Sequence, residues 1–151
     1  GQPIYDTWWM SETGMKMICS VRCLDLKLGS IGRPLPGIKA AVVDDGGSLL
    51  PPGQIGNLAI KAGWPAMFRE VWNDRGRTGE YFKVKPWFIS GDAAYTDRDG
   101  YFYFQGRLDG VINTAGERVG PYEVERKLEE HPAVRKAGVV GMPDRLRGEI
   151  V

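Results

Sequence analysis

The first stretch of side chains that suits a phosphorylated ligand lies near the N-terminus. It runs Asp6-Thr7-Trp8-Trp9-Met10-Ser11-Glu12-Thr13-Gly14. Two adjacent tryptophans beside an acid and two hydroxyls make an apolar wall next to a polar rim, which suits a ligand with an apolar part and a charged part. A carboxylate such as Glu12 can hold Mg²⁺ against a phosphate. Considered alone, the composition favours a different interpretation, a buried tryptophan pair followed by a polar turn.

A second stretch places an acid after an apolar run, in the order Phe88-Ile89-Ser90-Gly91-Asp92. The pattern predicts a strand that ends at Gly91-Asp92, followed by a hairpin turn at residues 97–100. An acid exposed at the end of a strand can accept hydrogen bonds from the hydroxyls of a ribose. An isolated Gly-Asp pair is more often an ordinary turn. This stretch therefore indicates a nucleotide only in combination with the others.

The third stretch is rich in arginine and glycine, and it runs Gly106-Arg107-Leu108-Asp109-Gly110-Val111-Ile112-Asn113-Thr114-Ala115-Gly116-Glu117-Arg118. A guanidinium at Arg107 or Arg118 can bind a phosphate or a ribose edge through two parallel hydrogen bonds. Gly110 and Gly116 allow the backbone to turn or a ligand to pass close to it. The alternative is a surface hairpin with solvated charges.

Taken in this order, the three stretches resemble motifs of the adenylate-forming superfamily. The first closely resembles the adenylate-binding segment of acetyl-CoA synthetases. The second is similar to the family's Tyr-x-Thr-Gly-Asp segment, with Ser90 in the place of threonine. The third matches the pattern Gly-Arg-x-Asp-x-x-Asn-x-x-Gly-x-Arg at every fixed position.

The resemblance implies roles for individual residues. The residues implied to contact ATP or AMP are Asp6, Thr7, Trp8, Trp9, Met10, Ser11, Asp92, Arg107 and Arg118. Arg118 is also implied to act in catalysis near the AMP phosphate, and Glu12 to hold a metal ion together with that phosphate. Asp109 corresponds to the family's hinge, and Ala115 and Gly116 correspond to positions along the path of CoA.

A weaker part of the resemblance concerns a loop after a predicted helix. In acetyl-CoA synthetases this loop can hold a metal ion through backbone carbonyls, which here would come from Glu129, His131 and Val134. Carbonyl binding depends on backbone shape, so the side chains do not test it. The alternative for His131 is a residue that completes the end of the helix.

The activity implied by the resemblance is the ATP-dependent, AMP-forming ligation of acetate or another short-chain acid to CoA, with Mg²⁺ as the metal. Trp9 is implied to form the floor of the acyl pocket, where its bulk would exclude longer acids. A medium-chain or aryl acyl-CoA ligase, a carrier-loading adenylation domain and a non-catalytic module of the same fold are the alternatives. The family's glycine-rich phosphate loop and catalytic lysine are absent from these residues, so we expect the chain alone to be inactive.

The elements that must position these residues predict an α+β fold. Residues 1–27 are expected to end a nucleotide-binding sheet region, residues 28–108 to form a small distorted β-barrel subdomain, and residues 109–151 to begin a small α+β C-terminal domain after the hinge. The predicted strands cover residues 3–9, 38–44, 57–61, 87–90, 93–95, 101–104, 111–113 and 137–142. Predicted helices lie within residues 64–72 and from Pro121 to Leu128, where proline suits the first helical position.

The composition limits the classes of partner. The 151 residues carry a formal net charge of +1 and are 42% hydrophobic and 26% charged, which is typical of a globular domain. We therefore expect small-molecule substrates, with neither nucleic acid nor membrane as a partner. Cys19 and Cys23 are expected to be free thiols in the reducing cytoplasm. The oligomeric state is left open.

Overall fold

Residues 4–151 are described by a computed structural model, and they form three antiparallel sheets and two α-helices. The strands are β1 Thr7–Trp8, β2 Ile18–Cys19, β3 Arg33–Pro34, β4 Ala40–Val43, β5 Gly56–Lys61, β6 Trp87–Thr96, β7 Phe102–Arg107, β8 Ile112–Thr114, β9 Glu117–Val119, β10 Met142–Asp144 and β11 Gly148–Ile150. The helices are α1 Arg75–Tyr81 and α2 Pro121–Glu129. The predicted α+β class is confirmed. The predicted domain boundaries stay a prediction.

The central sheet has the strand order β4-β5-β6-β7. Strand β5 is buried along its length except at Lys61, because it lies between β4 and β6 and both of its faces are covered. The Asp97 carboxylate closes the hairpin between β6 and β7, since its Oδ1 accepts the amides of Asp99 and Tyr101. This hairpin agrees with the prediction. Within residues 4–151 the sheet stays open, so the predicted barrel is present as open sheets and not as a closed cylinder.

Strand β6 differs from its predicted length. The sequence pattern predicted an end at Gly91-Asp92, but the strand continues to Thr96. Its pairing with β7 shifts register between Ala93 and Ala94, and Gly91 has a φ of 79°. A β-bulge next to a glycine bends a strand without ending it. Asp92 therefore lies inside the sheet, opposite Arg107.

An aromatic cluster surrounds Phe88, which is fully buried. The ring centroids of Trp64, Phe68, Tyr81 and Phe82 lie 5.6, 6.0, 5.2 and 5.8 Å from that of Phe88. The predicted helix within residues 64–72 is wrong. This segment forms turns, and its apolar side chains reach the cluster without helical spacing.

Helix α1 was not predicted, because its sequence Arg-Gly-Arg-Thr-Gly-Glu-Tyr contains two glycines and lacks an apolar face. The Asp74 side chain caps its N-terminus by accepting the Arg77 amide at 2.8 Å. A cap of this kind stabilises a helix by about 1 kcal/mol. The helix ends at Tyr81, whose ring stacks on Phe88. Tertiary packing therefore stabilises α1 where intrinsic propensity does not.

The C-terminal sheet has the order β10-β11-β8-β9. Helix α2 begins at Pro121, as predicted. The strand predicted for residues 137–142 is wrong, since residues 137–141 are irregular and β10 begins at Met142. Carboxylates of α2 bind the amides of this segment: Glu129 Oε1 accepts from Ala137 at 3.2 Å and Glu125 Oε1 accepts from Val139 at 3.0 Å. Side chains thus take the place of a neighbouring strand.

The N-terminal sheet joins β1, β2 and β3, and it pairs Trp8 with Ile18. Residues 1–3 lie outside the described part of the chain. The first residue of the strand predicted for residues 3–9 is one of these three residues. Trp8 and Ile18 belong to the main hydrophobic core together with Leu58 and Phe88. Among residues 4–151, no helix has the length and apolar character needed to cross a membrane.

Candidate functional site

All three stretches singled out from the sequence meet at the Asp92 carboxylate. Trp8 Nε1 donates a hydrogen bond of 2.8 Å to Asp92 Oδ2. Arg107 Nη1 donates one of 3.1 Å to Asp92 Oδ1. The register of β6 and β7 causes the second contact, because it pairs Asp92 with Arg107 directly. Asp92 therefore binds a tryptophan 84 positions before it and an arginine 15 positions after it.

Asp92 is buried, with 6% of its surface exposed. Burial raises the pKa of its carboxyl group above the ordinary value, because water no longer solvates the charge. The hydrogen bond from Trp8 and the charge of Arg107 act in the opposite direction and limit the rise in pKa. The two donors leave further lone pairs on the carboxylate oxygens, which can accept hydrogen bonds from the hydroxyls of a ligand.

Ser90 and Gly91 shape the backbone beside this acid. Ser90 Oγ donates to the Leu58 carbonyl at 2.9 Å and accepts the Asp92 amide at 3.0 Å, which fixes the start of the bulge. A β-carbon built on Gly91 would lie 2.9 Å from Arg107 Nη2. Glycine is required at this position because of its positive φ and because the guanidinium lies across it.

The Glu12 carboxylate lies on the other side of the aromatic cluster. Its Oε1 accepts a hydrogen bond of 2.7 Å from the Tyr81 hydroxyl. The backbone carbonyl of Glu12 accepts the Phe68 amide at 3.0 Å. Burial is the main cause of a raised pKa at Tyr81, and the Glu12 carboxylate adds to the rise. Tyr81 therefore stays protonated as a donor at neutral pH.

A cavity of about 350 Å³ lies beside these groups. The residues that line it are Asp44, Asp45, Asn57, Glu80, Tyr81, Lys83, Val84, Ile89, Ser90, Gly91, Arg107 and Leu108. Arg107 and Tyr81 belong to this lining, and they contact Asp92 and Glu12 respectively. Each of the two predicted acids is therefore hydrogen-bonded to one residue that lines the cavity.

Arg118 contacts a different acid, Asp45, which is one of the residues that line the cavity. Its Nη2 donates to both oxygens of Asp45 at 2.9 Å. The hydrogen bond from Asn57, followed by that from Arg118, lowers the pKa of the Asp45 carboxyl group. The structure therefore brings Trp8, Asp92 and Arg107 together directly. It places Arg118 near them only through Asp45.

The remaining residues of the first stretch surround Trp8. Thr7 Oγ1 donates to the Ile18 carbonyl at 3.1 Å, and the Met10 amide donates to Thr13 Oγ1 at 2.9 Å. Asp6 and Ser11 are exposed. Trp9 is 58% exposed and points away from the core that buries Trp8.

The residues implied for the hinge and for CoA lie in turns. Asp109 lies in a short 3-10 helical turn at Leu108–Gly110, and its Oδ1 is 3.7 Å from Arg107 Nε. Ala115 and Gly116 form the turn between β8 and β9, with φ values of 50° and 87°. A non-glycine residue such as Ala115 rarely adopts a positive φ.

The loop implied to hold a metal follows α2. The His131 carbonyl accepts the Val134 amide at 2.9 Å, and His131 Nδ1 accepts the Ala133 amide at 3.2 Å. Glu129 forms an ion pair of 2.9 Å with Lys136. The His131 amide donates to the Leu128 carbonyl of α2 at 3.1 Å, and the alternative for His131 stays a prediction. Among residues 4–151, no group of three or more His, Cys, Asp or Glu side chains is arranged to hold a metal ion. Binding through carbonyls stays a prediction.

Two residues of the site were missed from the sequence. Tyr81 lies outside all three motifs, and no local signal connects it with Glu12. Asp45 was assigned only to a turn. Its run of acid and glycine gave no sign of a partner 73 residues away.

Comparison with known proteins agrees with these motifs. The family model "AMP-binding enzyme" matches residues 1–72. The chain is 57% identical over 148 residues to the acetyl-coenzyme A synthetase of Bacillus subtilis (strain 168), a match that covers 98% of the chain. The chain is therefore similar to acetyl-coenzyme A synthetases over nearly its whole length. It spans about a quarter of the length of the curated relatives that it matches, 26% in the Bacillus protein.

Two solved structures share the fold. ATP-bound MatB from Rhodopseudomonas palustris superposes with a TM-score of 0.84 at 31% identity, over 97% of this chain and 29% of that one. The anthranilate CoA ligase AuaEII in complex with anthranoyl-AMP gives a TM-score of 0.80 at 32% identity, over 93% of this chain and 26% of that one.

Proposed function

We propose that this chain supplies part of the nucleotide site of an AMP-forming ligase that joins acetate, or another short-chain acid, to CoA. The convergence of Trp8, Asp92 and Arg107 carries the proposal, because it combines an aromatic wall, a hydroxyl acceptor and a cation at one point. The 57% identity to an acetyl-coenzyme A synthetase supports acetate over longer or aromatic acids.

The reaction proposed has two steps. An oxygen of the acid attacks the α-phosphorus of ATP, and pyrophosphate leaves to give an acyl-adenylate. The sulfur of CoA then attacks the acyl carbon and loses its proton, and AMP leaves with the electron pair of the broken C–O bond. Both steps develop charge on phosphate or carboxyl oxygens, so positioned cations and hydrogen-bond donors accelerate them.

The residues of this chain bind and orient the nucleotide in this scheme. Asp92 accepts the ribose hydroxyls while Arg107 holds the acid in place, and Trp8 forms a wall for the base. Arg118 leaves Asp45 and pairs with the phosphate, because the guanidinium fork fits a phosphate as well as it fits a carboxylate. The remaining nucleotide contacts proposed for the first stretch are Asp6, Thr7, Met10 and Ser11.

A divalent metal fits the donor chemistry at Glu12. Mg²⁺ in nucleotide sites takes one or two carboxylates along with phosphate oxygens and water, and Glu12 offers one partly exposed carboxylate that is fixed at Oε1. When bound there, the ion would neutralise charge on the phosphates. Ala115 and Gly116 are the proposed contacts for CoA, and Asp109 is the proposed hinge between the two steps.

Trp9 is the proposed determinant of acid size. The structure leaves its indole exposed, so it can line a pocket for the acyl group. Steric exclusion by a fixed ring discriminates more strongly than attraction, because one methylene contributes only about 1–3 kcal/mol. The two free thiols, buried Cys19 and exposed Cys23, fit a reducing cytoplasm as the proposed location.

The experiment uses a chimera in which this chain replaces the matching segment of the Bacillus subtilis relative. We expect acetate-dependent exchange of pyrophosphate with ATP by the chimera, and no measurable exchange by the 151-residue chain alone. Trp9→Gly in the chimera should shift the preference towards longer acids. A folded chimera without exchange activity would contradict the proposed function, and an unchanged acid preference in Trp9→Gly would contradict the pocket assignment.

A further inference from the structure

Tyr81 connects helix α1 to the Glu12 carboxylate across 69 residues. Its hydroxyl donates to Glu12 Oε1 at 2.7 Å, which is a typical distance for a hydroxyl bound to an acid. The nucleotide motifs contain no counterpart of this residue. The contact arises because α1 ends beside the aromatic cluster and presents the phenol towards the first stretch.

The Tyr81 ring is held on two sides. It stacks on Phe88 with a centroid distance of 5.2 Å and an angle of 11° between the rings. Phe68 meets it edge-on at 5.4 Å and 80°. Since Phe88 is fully buried, the ring cannot swing away without opening the core. The hydroxyl is therefore a donor at a fixed position.

Glu12 gains order from this donor. A free glutamate side chain samples many rotamers, and fixing it costs conformational entropy. The Phe68 amide fixes the backbone of Glu12, and the Tyr81 hydroxyl fixes one carboxylate oxygen. A single donor leaves the remaining lone pairs of the carboxylate for a cation. Packing alone does not require the hydroxyl, because phenylalanine would stack on Phe88 equally well.

We propose that Tyr81 is a positioning residue that orients the Glu12 carboxylate towards the divalent cation bound with ATP. This inference rests on the proposed function, because it takes Glu12 as the metal-binding acid. Tyr81 also lines the cavity that contains Arg107, so the same residue borders the space for the nucleotide. Partners that orient a metal-binding carboxylate affect metal affinity by about 10- to 100-fold when they are removed.

The first test measures pyrophosphate exchange by the chimera as a function of Mg²⁺ concentration. We expect Tyr81→Phe to raise the Mg²⁺ concentration for half-maximal rate by about 10-fold, with the half-saturating acetate concentration unchanged. Tyr103→Phe is the matched control, because it removes a phenol that also donates to a carboxylate, Asp97, at 3.4 Å. Tyr103 lines a different groove, so its variant should keep the original Mg²⁺ dependence.

The second test needs no catalysis. Tyrosines labelled with ¹³C at the ζ carbon give one signal each, and loss of a signal in Tyr81→Phe identifies Tyr81. In the 151-residue chain, Glu12→Gln should shift the Tyr81 signal, because the Tyr81 hydroxyl donates to the carboxylate that this change removes. In the chimera, Mn²⁺ with ATP should broaden the Tyr81 signal more than the Tyr103 signal.

The outcomes separate the two proposals. No exchange activity in a folded, unmodified chimera would contradict the proposed function. Normal activity with an unaltered Mg²⁺ dependence in Tyr81→Phe would contradict the role of Tyr81 and leave the function standing. If Tyr81→Phe does not fold at the assay temperature, the signal that shifts in Glu12→Gln identifies Tyr81, and the Mn²⁺ measurement on the unmodified chimera decides. Equal broadening of the two tyrosine signals would then overturn the proposal.

Discussion

Replacement of Trp8 by phenylalanine should destabilise the chain by an amount that grows with pH. The change keeps an aromatic ring but removes the Nε1 donor to the buried Asp92 carboxylate. A hydrogen bond to a charged group contributes about 1.5–3 kcal/mol, so a loss of this size is expected when Asp92 is ionised. Once Asp92 is protonated, the loss should fall to the value for a neutral pair, about 0.5–1.5 kcal/mol.

Trp64→Phe is the matched control for this prediction. Trp64 and Trp8 are both 7% exposed, and Trp64 Nε1 also donates at 2.8 Å, but to the neutral carbonyl of Thr13. Loss of ring volume is the same chemical change in both variants, and it largely cancels in their difference. The Trp64→Phe effect should not depend on pH. The Trp8→Phe variant should therefore be the less stable by about 1 kcal/mol when Asp92 is charged.

The sign of the pH effect follows from the carboxyl group. The pKa of Asp92 is raised in the folded chain, and removing the Trp8 donor should raise it further. The cost of Trp8→Phe should therefore increase as the pH rises through the titration of Asp92. Urea unfolding followed by circular dichroism at about pH 3.5 and about pH 8 measures this change. Equal pH dependence in the two tryptophan variants would refute the reasoning.

Three further changes test single contacts. Asp45→Asn should lower the free energy of unfolding by at most about 1 kcal/mol, because the ion pair with Arg118 is exposed. Since the pKa of Asp45 is lowered in the folded chain, the stability from this ion pair is lost on acidification. The difference between Asp45→Asn and the original chain should also disappear when urea unfolding is measured at high ionic strength. Gly32→Ala should prevent folding or lower the free energy of unfolding by more than about 4 kcal/mol, since its β-carbon would lie 2.1 Å from a backbone atom of β2. Gly29→Ala meets open space, so only its φ of 76° should cost stability, by about 1–2 kcal/mol. Ala115→Gly should leave stability unchanged or raise it by up to about 1 kcal/mol, because it relieves a φ of 50°, and thermal unfolding measures this.

The hairpin between β6 and β7 could be predicted from the sequence because it depends on a local turn at residues 97–100. The direct pairing of Asp92 with Arg107 could not, since a bulge between Ala93 and Ala94 shifts the register by one residue before the two meet. The contact of Arg118 with Asp45 could not be predicted in the same way. It joins the turn after β4 to strand β9, and no periodicity or turn signal specifies such a distance.

The errors in secondary structure have a common physical cause. Met67, Val71 and Trp72 have the spacing of a helical face, yet their segment forms turns in which Met67 packs against the core and Trp72 is 85% exposed. Residues 137–142 have high β-propensity, but the carboxylates of Glu125 and Glu129 bind their amides in place of a strand. In both cases tertiary contacts override the local preference.

The position of Gly91 has a consequence for how the site responds to mutation. The nearest atoms to a methyl group added there would be those of the Arg107 guanidinium, with Nη2 at 2.9 Å. The side chain of Arg107 is 56% exposed, so it can move aside into solvent. Alanine at this position should therefore cost stability through the φ of 79° and, in addition, ligand affinity through the displaced guanidinium. A screen that selects only for soluble, folded protein would detect only the first of these effects.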